Sequence, residues 1–504
     1  MVTKTGIDWT NINDRQKIIA EIMGTENRER KEQSVREVDV YRGQIRSYVQ
    51  HDLICQHGPE SANEIPVIAS VNVCKRIVDS DSRLYAEPVG REFIGVSEKQ
   101  KETLKLIYED MKADANLMRS NRYFNLQQQN IFHTLPKSKK LEMRVYKMHQ
   151  IDAVPMVLNP EKAQAYIVSN FDRSLFNQVV RSDKGDGINQ NIADYDDALL
   201  KAMVFAVWDL EFQFLMNGKG EILLTPDAHA DKVIAMKEVT SLTPGHLPFV
   251  DVFGEKDFTF FVEFGNELVD FTIQYNTALS NEAQIIKMQG FAQPFLKGPS
   301  SIFSKKISIG PDKLLRLPTD NLQGSEQIEF GYANPNTDLA GVREHRVQLM
   351  QDFLSTKGIS KPKFEGSANY TSGIERLLSM VKEFERSRDA MSIYMNAEDQ
   401  LFDSVRNWHN AAIGTDLLDA KYLAGSRIPE GARVKVIYKK PEMVMTEEEK
   451  LRSQNLKVES GRSSNIMELM NDEGLTEKEA IAKFKKIQEH EGLEFGTITP
   501  EPIS

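Results

Sequence analysis

Residues 372–414, SGIERLLSMVKEFERSRDAMSIYMNAEDQLFDSVRNWHNAAIG, decide how the chain is read. Leu377, Val381, Phe384, Met391, Met395, Phe402, Val405 and Trp408 return every three or four residues, the period of one helix face. Ser372 and Glu375 form a capping-box pair at the start, and Gly414 is a stop signal. At about 1.5 Å per residue such a helix reaches about 60 Å. A rod of that length exceeds what one compact core encloses, so it predicts a chain of several parts.

The flanking text fits around this rod. Just before it, 359–373 places Gly366, Ser367 and Asn369 among Lys361, Lys363 and Glu365 without a helical period, which reads as a loop. A helix precedes the loop, opening at Thr337 or Asp338, showing Leu339, Val342, Leu349 and Phe353, and stopping at Gly358. Earlier still, Asn266 can cap a helix from Glu267 to Gln289, with Leu268, Phe271, Tyr275, Leu279 and Ile286 on one face. Between these two helices, 290–335 is punctuated by Gly298-Pro299, Gly310-Pro311, Pro318 and Gly324 and holds strand-like pieces such as 307–309, which predicts a compact insert. Downstream come a strand at 433–438 and two capping boxes, Thr446 with Glu449 and Thr476 with Glu479. They introduce short helices ending at Gly461, Gly474 and Gly492.

Nearer the N-terminus, 8–48 reads as polar helix. Its run 26–37 balances Glu29, Glu32 and Glu37 against Arg30, Lys31 and Arg36, which predicts a solvated face supported by i,i+4 pairs. Further helices are expected at 70–85, striped by Val71, Cys74, Val78 and Tyr85, and at 98–118. The period then falls to two. Leu141, Met143 and Val145 alternate with Glu142 and Arg144, and Trp208, Leu210, Phe212 and Phe214 with Asp209, Glu211 and Gln213, each predicting a strand with one wet face. Asn217-Gly218-Lys219-Gly220 turns the second strand back toward Ile222 and Leu223, and an aromatic run at 258–264 closes the region. The expected fold class is α+β.

With 504 residues the chain exceeds one ordinary hydrophobic core, and 40% hydrophobic with 27% charged residues excludes global disorder. Cys55 and Cys74 are too few for a disulfide scaffold and fit a reducing compartment. No leader opens the chain and no stretch nears the roughly 18 uncharged apolar residues of a membrane span, so a soluble, unexported protein without membrane partners is expected. The net charge of −11 is the opposite of the basic excess that grips nucleic acid. There is no phosphate-cradling Gly-x4-Gly-Lys-Ser/Thr, no His-Glu-x-x-His and no Cys-x-x-Cys, so no cofactor or metal and no enzyme activity are expected. Asp194, Asp196 and Asp197 could hold magnesium for phosphodiester chemistry, although a solvated helix start is the plainer reading. Asp183, Asp186 and Gly187 lack the remaining ligands of a calcium loop.

The order of these elements resembles the portal proteins of tailed bacteriophages. Locally, Val71-Asn72-Val73-Cys74-Lys75-Arg76-Ile77-Val78-Asp79 looks like the early portal helix, and Ser372-Gly373-Ile374-Glu375-Arg376-Leu377 like the start of the family's long helix. The stretch 456–487, with Ser460-Gly461-Arg462-Ser463-Ser464 and Thr476-Glu477-Lys478-Glu479-Ala480, is similar to the portal C-terminal pattern.

The resemblance implies a portal-like α+β architecture: a mixed α/β wing at 1–264, stem helices at 265–289 and 337–358, a small α/β clip at 290–336, a tunnel loop at 359–373, a spine helix with a wing strand at 374–441, and a helical crown at 442–504. It further implies a dodecameric homo-oligomer at one vertex of the virion capsid, assembled in the host cytoplasm with major capsid and scaffolding proteins. That ring would be the channel for double-stranded DNA packaging and ejection. Tunnel-loop residues Lys361, Lys363, Phe364, Glu365, Gly366, Ser367 and Tyr370 would face the DNA, and clip residues Lys297, Lys305, Lys306, Lys313 and Arg316 would dock the terminase large subunit and later a head–tail connector or adaptor. Twelve copies at −11 carry on the order of −130 charges, a wall that keeps a polyanion moving. Two other readings stay open: another oligomeric virion structural or adaptor protein, and a magnesium-dependent nucleic-acid enzyme built on Asp194, Asp196 and Asp197.

Overall fold

The computed structural model describes residues 7–170, 197–210, 212–223, 237–238, 246–262, 265–289, 293–298, 315–318, 329–333, 339–359, 373–415, 417–423, 426–438, 464, 466 and 481–486. Compactness divides the chain into two units, Met1–Lys439 and Lys440–Ser504. Of the second, only Ser464, Ile466 and a helical stretch at 481–486 are described, so the capping boxes and glycine stops expected at 446–492 lie outside the described residues.

The first unit mixes helix and sheet, an α+β chain. Its order begins α1 (Ile12–Met23), α2 (Thr25–Tyr41), α3 (Arg46–His57), α4 (Pro59–Ala62), α5 (Val73–Asp81), β1 (Gly90–Ile94), α6 (Glu98–Asp110) and α7 (Ala113–Gln127). It continues with β2 (Gln129–Lys137), β3 (Lys140–Tyr146), β4 (Ile151–Met156), β5 (Asn159–Ser169), α8 (Asp197–Ala202), β6 (Val204–Asp209), β7 (Phe212–Asn217), β8 (Lys237–Glu238) and β9 (Phe249–Phe253). Then follow α9 (Glu267–Gln289), β10 (Gln293–Gly298), β11 (Leu315–Pro318), β12 (Glu329–Ala333), α10 (Leu339–Thr356), α11 (Gly373–Ala412) and β13 (Arg433–Ile437).

Side chains that satisfy orphan backbone groups set the helix starts. Asn11 accepts from the Asn13 amide, Asn72 from Lys75 and Asn266 from Val269, and Ser97 with Gln100 completes a capping box. The helix expected at 98–118 is two: α6 stops at Met111 and Lys112 turns left-handed (φ 52°) before α7 runs on to Gln127. Asn116 makes the break tolerable by donating to the Met111 carbonyl at 3.0 Å. The strand expected across Trp208–Phe214 is likewise two, because the chain reverses after Asp209 and pairs Val207 with Phe214. Alternation survives a hairpin reversal, so periodicity alone does not reveal it. The run at 258–262 forms no strand; the strand that closes its region is β9, and residues 263–264 lie outside the described residues.

Four sheets follow in the orders β4-β5-β6-β7-β8, β3-β2-β9, β1-β13 and β11-β10-β12. The five-stranded sheet packs Phe205, Val207, Phe214 and Met216 against Ile18, Ile19 and Ile22 of α1 and against Trp9. Trp9 donates to the buried Asp209 at 2.6 Å, and Arg15 donates to the Gly220 carbonyl at 2.6 Å. The Asn217–Gly220 turn is therefore the seat of α1 as well as a reversal, in which Ile222 bridges back to Met216. A Cβ on Gly218 would lie 2.7 Å from the Leu200 carbonyl oxygen, so only glycine fits there. A second core joins α6, α7, β2, β3 and β9 to the C-terminal half of α11, and a third joins α2, α3, α5, α9 and the end of α10.

Candidate functional site

Helices α9 and α10 form an antiparallel hairpin. Lys357 meets Glu267 at 2.9 Å, Phe353 stacks on Phe271 at 3.8 Å between centroids, and Arg346 and Arg343 close on Glu282 at 2.9 and 3.6 Å. The hydrogen bond from Lys357 holds the Glu267 carboxyl below the usual range. Between the far ends of the two helices lies the three-stranded sheet, in which β10 pairs parallel with β11 and antiparallel with β12. The helices are about 34 and 27 Å long.

Each helix of the hairpin is clothed differently. α9 is covered on two sides. Its apolar stripe, Leu268, Phe271 and Tyr275, meets the core, and a second stripe, Thr272, Asn276 and Ser280, is fully buried and polar. These three bond to the segment that leads into α5 and to its first turn: Thr272 accepts the Cys74 amide at 2.9 Å, Asn276 accepts from Val71 at 3.2 Å and donates back at 2.7 Å, and Ser280 accepts the Ile68 amide at 2.9 Å. Backbone that no sheet serves is thus satisfied by a helix face. α10 by contrast leaves Ala340, Arg343, Glu344, His345, Val347, Gln348 and Leu349 exposed.

Helix α2 holds the hairpin to the body. The expectation of a solvated face at 26–37 holds on one side, where Glu26 and Glu29 are exposed and Arg28 pairs with Glu32 one turn on at 3.1 Å, but fails on the other: Lys31 is 2% exposed and Glu37 3%. Asp152 of β4 takes Arg30 at 2.6 Å on one oxygen and Lys31 at 2.8 Å on the other, and Arg30 lies over the Phe261 ring at 3.7 Å. Burial brings the Lys31 ammonium down to about 8 against the pull of Asp152. Ser34 bonds to His149 at 3.1 Å and accepts from Gln127 at 2.7 Å. His149 falls to about 3 because it is buried and then because Lys147, Lys31, Arg30 and Arg42 surround it. Burial raises Glu37, which is bonded by Asn266, Gln127 and Gln33, and Asn266 is the cap of α9. Arg36 adds a half-exposed pair with Asp270 at 2.6 Å.

Helix α11, 40 residues and about 60 Å long, enters the body with its C-terminal half. Tyr394, Leu401, Phe402, Val405 and Trp408 are buried there. Glu398, fully buried, is gripped by Arg91 at 2.6 and 3.0 Å and by Tyr85 at 3.2 Å, while Asp114 lies 2.7 Å from the same Arg91 Nη2 that holds Glu398. Burial pushes the Glu398 carboxyl up and Arg91 opposes it. Beside this grip, α11 and β13 enclose a groove of about 630 Å³ whose charged lining is balanced, Asp399, Asp403 and Glu430 against Arg406, Arg433 and Lys435.

Of the expected site residues, Lys361, Lys363, Phe364, Glu365, Gly366, Ser367 and Tyr370 lie outside the described residues, as do Lys305, Lys306 and Lys313. Lys297 falls in β10 opposite Leu317 and Glu329, and Arg316 in β11 opposite Leu296. Asp194, Asp196, Asp183, Asp186 and Gly187 are outside the described residues, and Asp197 opens α8. Among the described residues no group of three or more His, Cys, Asp or Glu could hold a metal, and no helix is long and apolar enough to cross a membrane. The buried charges of α2 escaped sequence reading because Asp152 and His149 are over a hundred residues away. The signal that could have found them is an acid inside the strand-like text that follows Gln150. No protein-family model matches the chain, and no curated protein matches it in sequence.

Proposed function

We propose that the chain is a portal protein, the subunit of a dodecameric ring at one vertex of a virion capsid through which double-stranded DNA is packaged and ejected. The observation that carries this reading is the α9–α10 hairpin. It bears a small sheet at its far end, is clothed on α9 and bare on α10, and leads through 359–373 into the 40-residue α11. A helix with Val347 and Leu349 in solvent has an incomplete environment in one copy, and neighbouring copies complete it. In this reading α9 and α10 are the stem, 290–336 the clip, 359–373 the tunnel loop and α11 the spine.

The assignments within the ring are part of the same proposal. Lys361 and Lys363 touch phosphates in passing, and Lys297, Lys305, Lys306, Lys313 and Arg316 dock the terminase large subunit and later the head–tail connector. The ring assembles in the host cytoplasm with major capsid and scaffolding proteins. It is no enzyme, and packaging energy comes from the terminase.

Electron microscopy of the purified chain tests the reading. Rings of about a dozen copies with an open centre are expected. Monomers and dimers alone, across concentrations, sink it. Filled oligomers without a hole would favour a different virion structural or adaptor protein, and magnesium-dependent nuclease activity lost in Asp196→Asn would favour the enzyme reading. Replacing Lys361 and Lys363 with Glu should lower packaging yield while rings still form. Normal packaging by that variant would remove the loop from the channel.

A further inference from the structure

The chain as a whole is acidic, at −11, but one face of its body is not. α5 turns Val73, Cys74, Ile77 and Val78 into the core, so the opposite side of the same helix carries Lys75 and Arg76 into solvent. On α7, Leu117, Asn121 and Phe124 are buried and Arg119 is exposed, with Arg122 half-buried one turn on. Arg122 reaches Asp79 of α5 at 3.6 Å, which sets the outer sides of the two helices next to each other. The end of α2 joins them. Tyr41 donates to Asp79 at 2.7 Å, and the Asn72 cap of α5 donates to the Val40 and Tyr41 carbonyls at 2.7 and 3.2 Å, so the exposed Arg42 stands beside the first turn of α5. Arg83, also exposed, follows the last turn.

Six cations therefore share this face, Arg42, Lys75, Arg76, Arg83, Arg119 and Arg122, and every fully exposed charged residue of α5 and α7 is among them. The acids nearby are fewer: Asp79 and Asp81 on α5, both half-buried, and Glu87 beyond it, while Asp114 of α7 is turned to Arg91 at 2.7 Å. Among the described residues, Arg42, Lys75, Arg83 and Arg119 have no acidic side chain within ion-pair distance. None of the exposed large apolar side chains lies here, so the face lacks the apolar centre that a protein partner seals against and the apolar stripe that enters a lipid surface. Five of the six cations are arginines, whose planar forks match phosphate oxygens two at a time. From Lys75 to Arg83 alone the chain advances about 12 Å, more than a single phosphate spans. At 0.1 M salt charges beyond about 10 Å are screened, so an anion at this face meets the local excess of positive charge and not the total.

We propose that this face of α2, α5 and α7 binds the sugar–phosphate backbone of a nucleic acid, without regard to base sequence. The site goes beyond the ring reading, which puts its phosphate contacts at 359–373, and it does not need a ring. Its contacts are charge contacts, so binding loosens steeply as salt rises.

Fluorescence anisotropy of a short labelled duplex of mixed sequence, titrated with the full chain, tests the site. Binding is expected at about 50 mM salt and should weaken by about a hundredfold or more at about 200 mM. Lys75→Glu with Arg119→Glu changes two exposed positions outside every core, so the melting profile should stay that of the wild type. That variant should bind about tenfold or more weakly, and its log–log salt slope should be shallower by about 2. Lys75→Gln with Arg119→Gln, which removes charge without reversing it, should fall between it and the wild type. Equal binding by both variants, or no binding by the wild type at about 50 mM salt, overturns the proposal. Binding lost instead by Lys361→Glu with Lys363→Glu moves the site to the loop and overturns it. Retention by phosphatidylserine vesicles or by polyglutamate, with no duplex bound, assigns the face to a lipid surface or an acidic protein and overturns it too. Rings that bind no duplex overturn this inference alone, and duplex-binding monomers overturn the ring reading alone.

Discussion

Helices α2 and α10 are written alike and live differently. TENRERKEQSVREVDVY and LAGVREHRVQLMQDFLST both mix the two signs of charge with scattered apolar residues. α2 nevertheless buries Lys31, Ser34 and Glu37 among partners from β4, α7 and the α9 cap, whereas α10 buries only its C-terminal end, at Leu354, and leaves Val347 and Leu349 exposed. A charged residue goes inside when another part of the chain brings the opposite charge to meet it, and an apolar one stays outside when no part of the same chain arrives. The contrast separates what one copy completes from what it leaves open.

The strongest way to break this comparison is Asp152→Ala. It strands Arg30 and Lys31 in the interior, and a loss of about 3–5 kcal/mol is expected in urea unfolding. A loss below about 1 kcal/mol would mean that α2 is held by its apolar residues alone. Acid should act next. His149 and His133 are both lowered to about 3 by burial, so folding binds them neutral and the unfolded chain protonates them first. Their contribution is complete above about pH 6.5 and is lost as pH falls from there toward 3, on the order of 2 kcal/mol each by pH 5. Thermal melts at pH 7.5 and 5 should show it, and His149→Gln should flatten the slope; an unchanged slope would remove α2 from the account.

Smaller effects sharpen the contrast. Asn276→Ala takes a donor and an acceptor from the Val71 backbone, and about 1–2 kcal/mol should go, visible as faster amide exchange at Val71. Unchanged exchange would show that the segment is held from elsewhere. Least of all for the single copy, Val347→Asp with Leu349→Asp should cost under about 0.5 kcal/mol, yet prevent assembly seen by light scattering. A large loss of monomer stability there would mean that α10 is covered after all.

The long elements were legible because their signals are local. Asn266 marks the start of α9, Gly358 and Gly414 follow α10 and α11 with left-handed backbones, and the stripe through Phe402, Val405 and Trp408 is the buried one. What stayed hidden depends on distant residues. Nothing beside Lys31 announces Asp152, nothing in the stripe of α9 announces that Thr272, Asn276 and Ser280 serve the backbone at 68–74, and a left-handed Lys112 leaves no mark on the helix period.

The pairing of β1 with β13 sets a timetable for synthesis. Gly90 faces Ile437 and Phe93 faces Val434, so the first strand of the chain waits for the last described one. While the ribosome is still making the intervening residues, β1 has no strand partner, and Arg91 has no Glu398 to hold. The body therefore closes late and all at once, a high-contact-order step that favours slow folding and exposes an unpaired edge to its neighbours until residue 437 has emerged. A nascent chain arrested before Arg433 should stay protease-sensitive around 90–94, and one arrested well past Lys439 should not.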